Sequence, residues 1–128
     1  MNDKGLFEIA KADARIARLT LDSLQDELSI NIAAYHTQQA IEKLLKSVLN
    51  LSGVTYPATH NLSLLMDLAT QKQIAYPDWL DEVSFMLNAW STQTRYNASF
   101  VAARRDVLKI LGRLEEWMAQ EESSLRNG

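Results

Sequence analysis

Residues 33–49 constrain the fold most strongly; they read Ala-Ala-Tyr-His-Thr-Gln-Gln-Ala-Ile-Glu-Lys-Leu-Leu-Lys-Ser-Val-Leu. At the helical spacing of about 100° per residue, one arc carries the apolar side chains Ala33, Ala40, Ile41, Leu44, Leu45 and Val48. The opposite side carries Tyr35, Gln39, Glu42 and Lys46. This pattern predicts a helix with one face in a core and an exposed Glu42–Lys46 ion pair on the other. Gln38 and Gln39 lie near the border, where paired amides favour hydrogen bonds to another helix or to a ligand.

Similar periodicity recurs along the rest of the chain. Only four glycines and two prolines occur among 128 residues, too few for the many turns of an all-β fold. The sequence predicts a first helix over residues 3–24 and a second that follows Ser29 and ends at about residue 51. A third covers residues 61–73, a fourth begins at about residue 77 and ends between 93 and 97, and the last follows Ser99. Ser29, Ser99 and either Thr59 or Asn61 are the expected caps. The sequence therefore predicts an all-α, antiparallel up-and-down four-helix bundle with a short additional helix. We expect one domain over residues 1–120 and a frayed polar end over 121–128.

The composition excludes several classes of protein. The chain has no cysteine, which removes disulfides, thiolate metal sites and cysteine nucleophiles, and its two histidines are too distant to form a zinc site. A net charge of −3 argues against a bulk polyanion binder but allows a local basic patch. No glycine-rich phosphate loop, nucleophile elbow or metalloprotease helix is present. Without a signal peptide or a membrane-spanning run, we expect a cytoplasmic protein that needs no cofactor.

Several motifs resemble one known family. Residues 38–46, Gln-Gln-Ala-Ile-Glu-Lys-Leu-Leu-Lys, resemble the Gln-Gln-Ala-x-Glu-Lys-x-x-Lys helix of HEPN domains (higher eukaryotes and prokaryotes nucleotide-binding). Thr59-His60-Asn61-Leu62 is similar to the family's Thr-His-Asp-Leu segment, Arg95-Tyr96 to its Arg-Tyr, and Asp13 to an acidic position in its first helix. The resemblance spans nearly the whole chain. It implies a bundle that forms homodimers and is often paired with a minimal nucleotidyltransferase, as in toxin–antitoxin-like pairs.

The chain departs from the family at one important motif. In many members of the family that this chain resembles, the motif Arg-x(4 to 6)-His forms a metal-independent ribonuclease site. Counted from Arg95, the histidine should lie at positions 100–102, which are Phe100, Val101 and Ala102, and no histidine follows His60. Because the group that would transfer the proton is missing, we expect a non-catalytic HEPN-type protein that binds a nucleotide, RNA or a partner nucleotidyltransferase. The alternatives are a ribonuclease toxin that uses Arg95 with a substitute acid or base, such as His36 or His60, and a purely structural dimerisation module.

Six residues are candidates for binding a nucleotide or a partner, and none is assigned a catalytic or metal-binding role: Arg95, Tyr96, His60, Gln38, Gln39 and His36. Arg95 can bind phosphate beside a stacking Tyr96, or instead bond carbonyls at a helix C-terminus. His60 can fix a loop onto the bundle, or contact an anion at a helix N-terminus. Asp13, expected on a buried face, needs a cationic or hydrogen-bonding partner and could orient Arg95 or His36.

Two basic stripes repeat at helical spacing: Lys11/Arg15/Arg18 and Arg105/Lys109/Arg113. Such stripes are usually solvated faces. If both faced one groove they would form a phosphate-binding surface, and the carboxylates of the last helix, Glu115, Glu116, Glu121 and Glu122, should then lie away from it. Trp79, Trp90 and Trp117 fit a core, or else a dimer interface.

Overall fold

The structure, a computed structural model, describes residues 3–127. Within that range the chain forms five helices and no strand: α1 (Asp3–Ser23), α2 (Glu27–Leu51), α3 (Leu62–Gln71), α4 (Trp79–Tyr96) and α5 (Arg104–Asn127). The four long helices form the antiparallel bundle and α3 is the short additional helix, which confirms the all-α fold predicted from the sequence. None of the described helices is both long and apolar enough to cross a membrane.

Helix α2 lies at the centre of the bundle, because it contacts each of the other four helices. Its side chains Ala33, Ile41, Leu44 and Leu45 are fully buried, as the apolar arc predicted. Its polar side is not solvated, however. Glu42 is only 1% exposed and Gln38 is fully buried, so the expectation of an exposed ion pair on this side was wrong. Neighbouring helices therefore cover this part of α2, although Leu28 and Ile32 in its first two turns stay exposed.

The helix N-termini are set by carboxylate and amide caps. The Asp26 carboxylate accepts from the Ser29 backbone N–H at 3.0 Å and from its hydroxyl at 2.7 Å, so Asp26 caps α2 and Ser29 lies in its first turn. The prediction of Ser29 as the cap was therefore wrong by three positions. Asn61 caps α3, as predicted, by accepting from the Leu64 N–H at 3.2 Å. Both caps satisfy backbone donors that a helix leaves unpaired.

The last helix begins at Arg104, four residues later than the start expected after Ser99. The side chain of Asn31, in α2, donates to the Phe100 carbonyl at 2.7 Å and accepts from the Ala102 N–H at 2.8 Å. Because these backbone groups are bonded to α2, residues 100–103 are not helical, and Ser99 does not cap α5. Helix α5 continues through Asn127, past residue 120 where we expected the ordered domain to end. Residues 1, 2 and 128 of the expected domain and polar end lie outside the described residues.

Candidate functional site

The paired glutamines begin a chain of hydrogen bonds inside the bundle. Gln39 Nε2 donates to Gln38 Oε1 at 2.8 Å, and Gln38 Nε2 donates to Glu42 Oε1 at 3.5 Å. Lys46 Nζ lies 3.1 Å from Glu42 Oε2, so the predicted ion pair forms, but around a buried carboxylate. The spacing of four residues places Gln38, Glu42 and Lys46 in one line along α2. Gln38 therefore bonds to a buried carboxylate and accepts from Gln39, and Gln38 itself has no solvent contact.

His60 connects this buried hydrogen-bond network to the protein surface. Its Nδ1 lies 3.0 Å from Glu42 Oε2, while 81% of its side chain is exposed. The bond fixes the α2–α3 connection onto the bundle, which is the structural role considered for His60. It also fixes the orientation of the ring, because a carboxylate on one imidazole nitrogen leaves the other, Nε2, available on the opposite side. Of the two roles that the sequence left open for His60, this contact is the structural one.

Arg95 lies at the C-terminal end of α4 between two aromatic rings. Its guanidinium carbon is 5.1 Å from the Tyr35 ring centroid and 4.9 Å from that of Tyr96. Its Nε donates to the carbonyl of Ser91, one turn earlier in the same helix, at 3.2 Å. Among the residues that the structure describes, its contacts include no carboxylate. The guanidinium is therefore held in place but keeps terminal nitrogens for a ligand.

His60 and Arg95 line the same open groove, between the start of α3 and the outer face of α4, with a volume of ≈ 680 Å³. Its other lining side chains include Asn61, Phe85, Asn88 and Thr92, and no Asp or Glu is among the described residues that line it. The volume suits a ligand of nucleotide size. The groove therefore presents two cationic or ionisable side chains to an anion without a competing carboxylate on its surface.

His36 belongs to a separate cluster. Asp13 bonds His36 Nδ1 at 3.0 Å and Lys43 Nζ at 2.6 Å, and its side chain is 14% exposed. This confirms that Asp13 has a cationic partner, and it shows that Asp13 orients His36 and not Arg95. His36 packs edge-on against Tyr35 with ring centroids 5.7 Å apart, and it does not line the groove. Within residues 3–127, no group of three His, Asp or Glu side chains is placed to hold a metal ion.

Two of the three basic side chains of the α1 stripe pair with carboxylates of α5. Arg18 forms a bidentate pair with Glu115, with nitrogen–oxygen distances of 2.6 and 3.1 Å, and this pairing raises the pKa of Arg18. Lys11 Nζ lies 3.2 Å from Glu122. These carboxylates lie against the stripe and not away from it, so α1 does not provide the phosphate-binding surface that the stripe could have formed. The tryptophans lie in or beside the core, where Trp90 is 1% exposed and Trp79 packs edge-on against Trp117.

Three residues of the site were missed by sequence reasoning. Glu42 and Tyr35 were placed on a solvated side of α2, and Phe85 was not singled out. The sequence did contain an indication for Glu42, because Gln38, Glu42 and Lys46 are spaced by one helical turn. This spacing places the carboxylate next to the paired amides. No comparable signal distinguishes Tyr35 or Phe85 from ordinary aromatic side chains.

Comparison with known families agrees with this architecture. The helical bundle and the Gln-Gln-Ala-x-Glu-Lys helix define a protein of the HEPN class. The family model described as the HEPN domain matches residues 4–122. Since the match covers most of the chain, the chain belongs to the HEPN domain family. Searches of curated proteins and of solved structures give no significant match.

Proposed function

We propose that this HEPN-domain protein acts by binding, and that Arg95 and His60 hold the phosphate of a nucleotide or RNA in the α3–α4 groove. The observation that carries the proposal is the exposed Arg95 guanidinium, held between Tyr35 and Tyr96 in a groove whose described lining has no carboxylate. Stacking orders the guanidinium before a ligand arrives, so less conformational entropy is lost on binding. Tyr96, 78% exposed, offers a ring on which a base can stack.

The segment after Arg95 supports binding over cleavage. Positions 100–102 carry no imidazole, and Asn31 fixes the backbone of this segment to α2 through Phe100 and Ala102. The proton-transfer group of the family's ribonuclease motif is therefore missing from its usual position.

Isothermal titration with AMP, ADP and ATP tests the proposal. Because a charge-assisted hydrogen bond contributes about 1.5–3 kcal/mol, Arg95→Ala should weaken binding about ten- to a hundredfold. Arg105→Ala is the matched control, since Arg105 is exposed on α5 and does not line the groove. Wild-type protein that binds none of these nucleotides, or equal affinity in wild type and Arg95→Ala, would defeat the proposal.

A second function is favoured by one specific observation. His60 shares the groove with Arg95, and its Nδ1 is bonded to the buried Glu42, as a carboxylate orients an imidazole in acid–base catalysis. A ribonuclease toxin built this way should cleave RNA and arrest growth on expression. His60→Ala and Arg95→Ala should each abolish both effects, whereas His36→Ala should retain them. Intact RNA after incubation with wild-type protein would reject this second function and leave the binding function in place.

We further propose that the protein forms a homodimer through a surface that we name the hairpin face. It consists of large aliphatic side chains of α1 and α2, each between 44% and 64% exposed: Ile9, Ile16, Leu19, Leu28 and Ile32. The Asp13–His36 bond joins α1 to α2. Ile9 and Ile16 lie one turn from Asp13 on α1, and Ile32 lies one turn from His36 on α2, so these side chains lie on the same side of the helix pair. Five exposed large aliphatic side chains on one side of a helix pair favour an interface, and a second copy would cover them with an identical surface.

Light scattering after size-exclusion chromatography tests the dimer. Ile16→Lys should convert it to monomer, because a charge would be buried without a partner. Leu125→Lys, which places the same charge at an exposed position of α5, should leave the dimer intact. A monomeric wild-type protein would reject the hairpin face as a dimer interface.

The family also supports a partner nucleotidyltransferase, as in a cytoplasmic toxin–antitoxin-like pair. Copurification with the product of a neighbouring gene tests this partnership. Absence of a complex when the two proteins are co-expressed would contradict it, without bearing on nucleotide binding.

A further inference from the structure

From Arg95, the groove extends back along α4 as far as Phe85. Phe85, Ala89, Thr92 and Tyr96 follow one another at four, three and four residues, so they share one line on the helix. At a rise of about 1.5 Å per residue, Phe85 and Tyr96 lie about 16 Å apart along the helix. Exposed aromatic rings thus lie at both ends of one helical face.

Phe85 has no role in the core. It is 87% exposed, and no other large hydrophobic side chain in the described part of the chain is more exposed. A single exposed apolar residue needs no explanation by itself. Phe85, however, lines the same groove as His60 and Arg95, which ties it to the proposed phosphate contacts.

We propose that the groove binds single-stranded nucleic acid and that Phe85 forms a base-stacking subsite at its far end. The inference rests on the proposed role of Arg95 in phosphate binding. Aromatic platforms along a positively charged groove are the usual means of holding single strands, because every base has a face that can stack. With stacked nucleotides about 3.4 Å apart, the distance from Tyr96 to Phe85 spans roughly five of them. An oligonucleotide therefore fills the whole groove, whereas a mononucleotide occupies only its Arg95 end.

The charges along α4 agree with such a track and limit its length. Residues 85–96 contain no Asp or Glu, and they offer the amides and hydroxyls of Asn88, Thr92 and Gln93 for hydrogen bonds. One turn before Phe85, Asp81 and Glu82 place negative charge in the first turn of α4. Phosphates would be repelled there, so the bound strand ends at Phe85.

Two measurements separate this inference from the proposed function. Titration with AMP reports the Arg95 end alone, and fluorescence anisotropy with a labelled single-stranded octaribonucleotide reports the whole groove. Phe85→Ala should weaken octanucleotide binding about five- to a hundredfold, the loss expected for one stacked base, and leave AMP affinity unchanged. Arg95→Ala should weaken both. Leu125→Ala, which removes an exposed apolar side chain of α5, should change neither.

Two further variants of Phe85 test whether the contact is base stacking. Phe85→Trp should keep octanucleotide affinity because it keeps an aromatic face, whereas Phe85→Leu should lose it because it keeps only apolar area. Octanucleotide binding by Phe85→Ala equal to that of wild type would overturn the inference. So would full binding by Phe85→Leu, which would point to an apolar contact with a protein partner. If AMP also fails to bind wild-type protein, the proposed function fails as well.

Discussion

Replacing Glu42 with glutamine tests whether a buried carboxylate organises the polar interior of the bundle. Glu42 is 1% exposed and has two cationic or ionisable partners, Lys46 at 3.1 Å and His60 at 3.0 Å. Glutamine has nearly the same shape, so packing should change little, but it carries no charge. The Lys46 ammonium, whose side chain is 14% exposed, would lose its counter-charge in a mostly buried position.

The expected loss follows from how far each partner is buried. Removing one member of a fully buried ion pair costs about 3–5 kcal/mol. Lys46 keeps some solvent contact and His60 keeps most of it, so water would partly stabilise both charges after the substitution. We therefore expect Glu42→Gln to lower the free energy of unfolding by about 2 kcal/mol.

Urea denaturation followed by circular dichroism measures this loss, and Glu122→Gln provides the matched control. Glu122 also has two cationic partners, Lys11 at 3.2 Å and Arg126 at 2.9 Å, but its side chain is 33% exposed. An exposed pair contributes at most about 1 kcal/mol, so the control should lose clearly less. Equal losses in the two variants, or a neutral Glu42→Gln, would refute the reasoning, because burial would then not determine the cost.

Two other substitutions test how the helix connections are held. Asn31→Ala should lower the free energy of unfolding by about 2–3 kcal/mol in urea denaturation, because it leaves the buried Ala102 N–H and the Phe100 carbonyl without their partner. Hydrogen bonds from Ser29 lower the pKa of Asp26 below its ordinary 3.8, so the folded state binds this proton less tightly than the unfolded chain. The resulting stabilisation is present above pH 3.8 and is lost as the pH falls through the lowered pKa, so Asp26→Asn should reduce the loss of stability measured on acidification.

The fold was predictable because periodicity is a local property of the sequence. Apolar side chains three and four residues apart, such as Ile41 and Leu45 in α2 or Leu111 and Leu114 in α5, lie in the core wherever the helices pack. Helix ends were less predictable. Both Asp26 and Ser29 are good capping residues, and only their mutual hydrogen bonds decide which of them caps α2.

The exposed residues of the candidate site were predictable from the sequence, but its buried residue was not. Arg95, Tyr96 and His60 were candidates from their motifs, and the structure places them at or beside one groove. The burial of Glu42 depends on how many helices surround α2, and a helical wheel carries no information on that number. For the same reason, the sequence could not show that Phe85 lies outside the core.

The two histidines show why local chemistry does not define a site. Each has its Nδ1 3.0 Å from a carboxylate, His36 from Asp13 and His60 from Glu42. The side chain of His36 is 29% exposed and lies outside the groove, whereas that of His60 is 81% exposed and lines it with Arg95. Since the local pairing is the same, a difference between His36→Ala and His60→Ala in ligand binding would come from the exposure of each ring and its position relative to Arg95. Such a difference would link the glutamine–glutamate network of α2 to the groove through His60 alone.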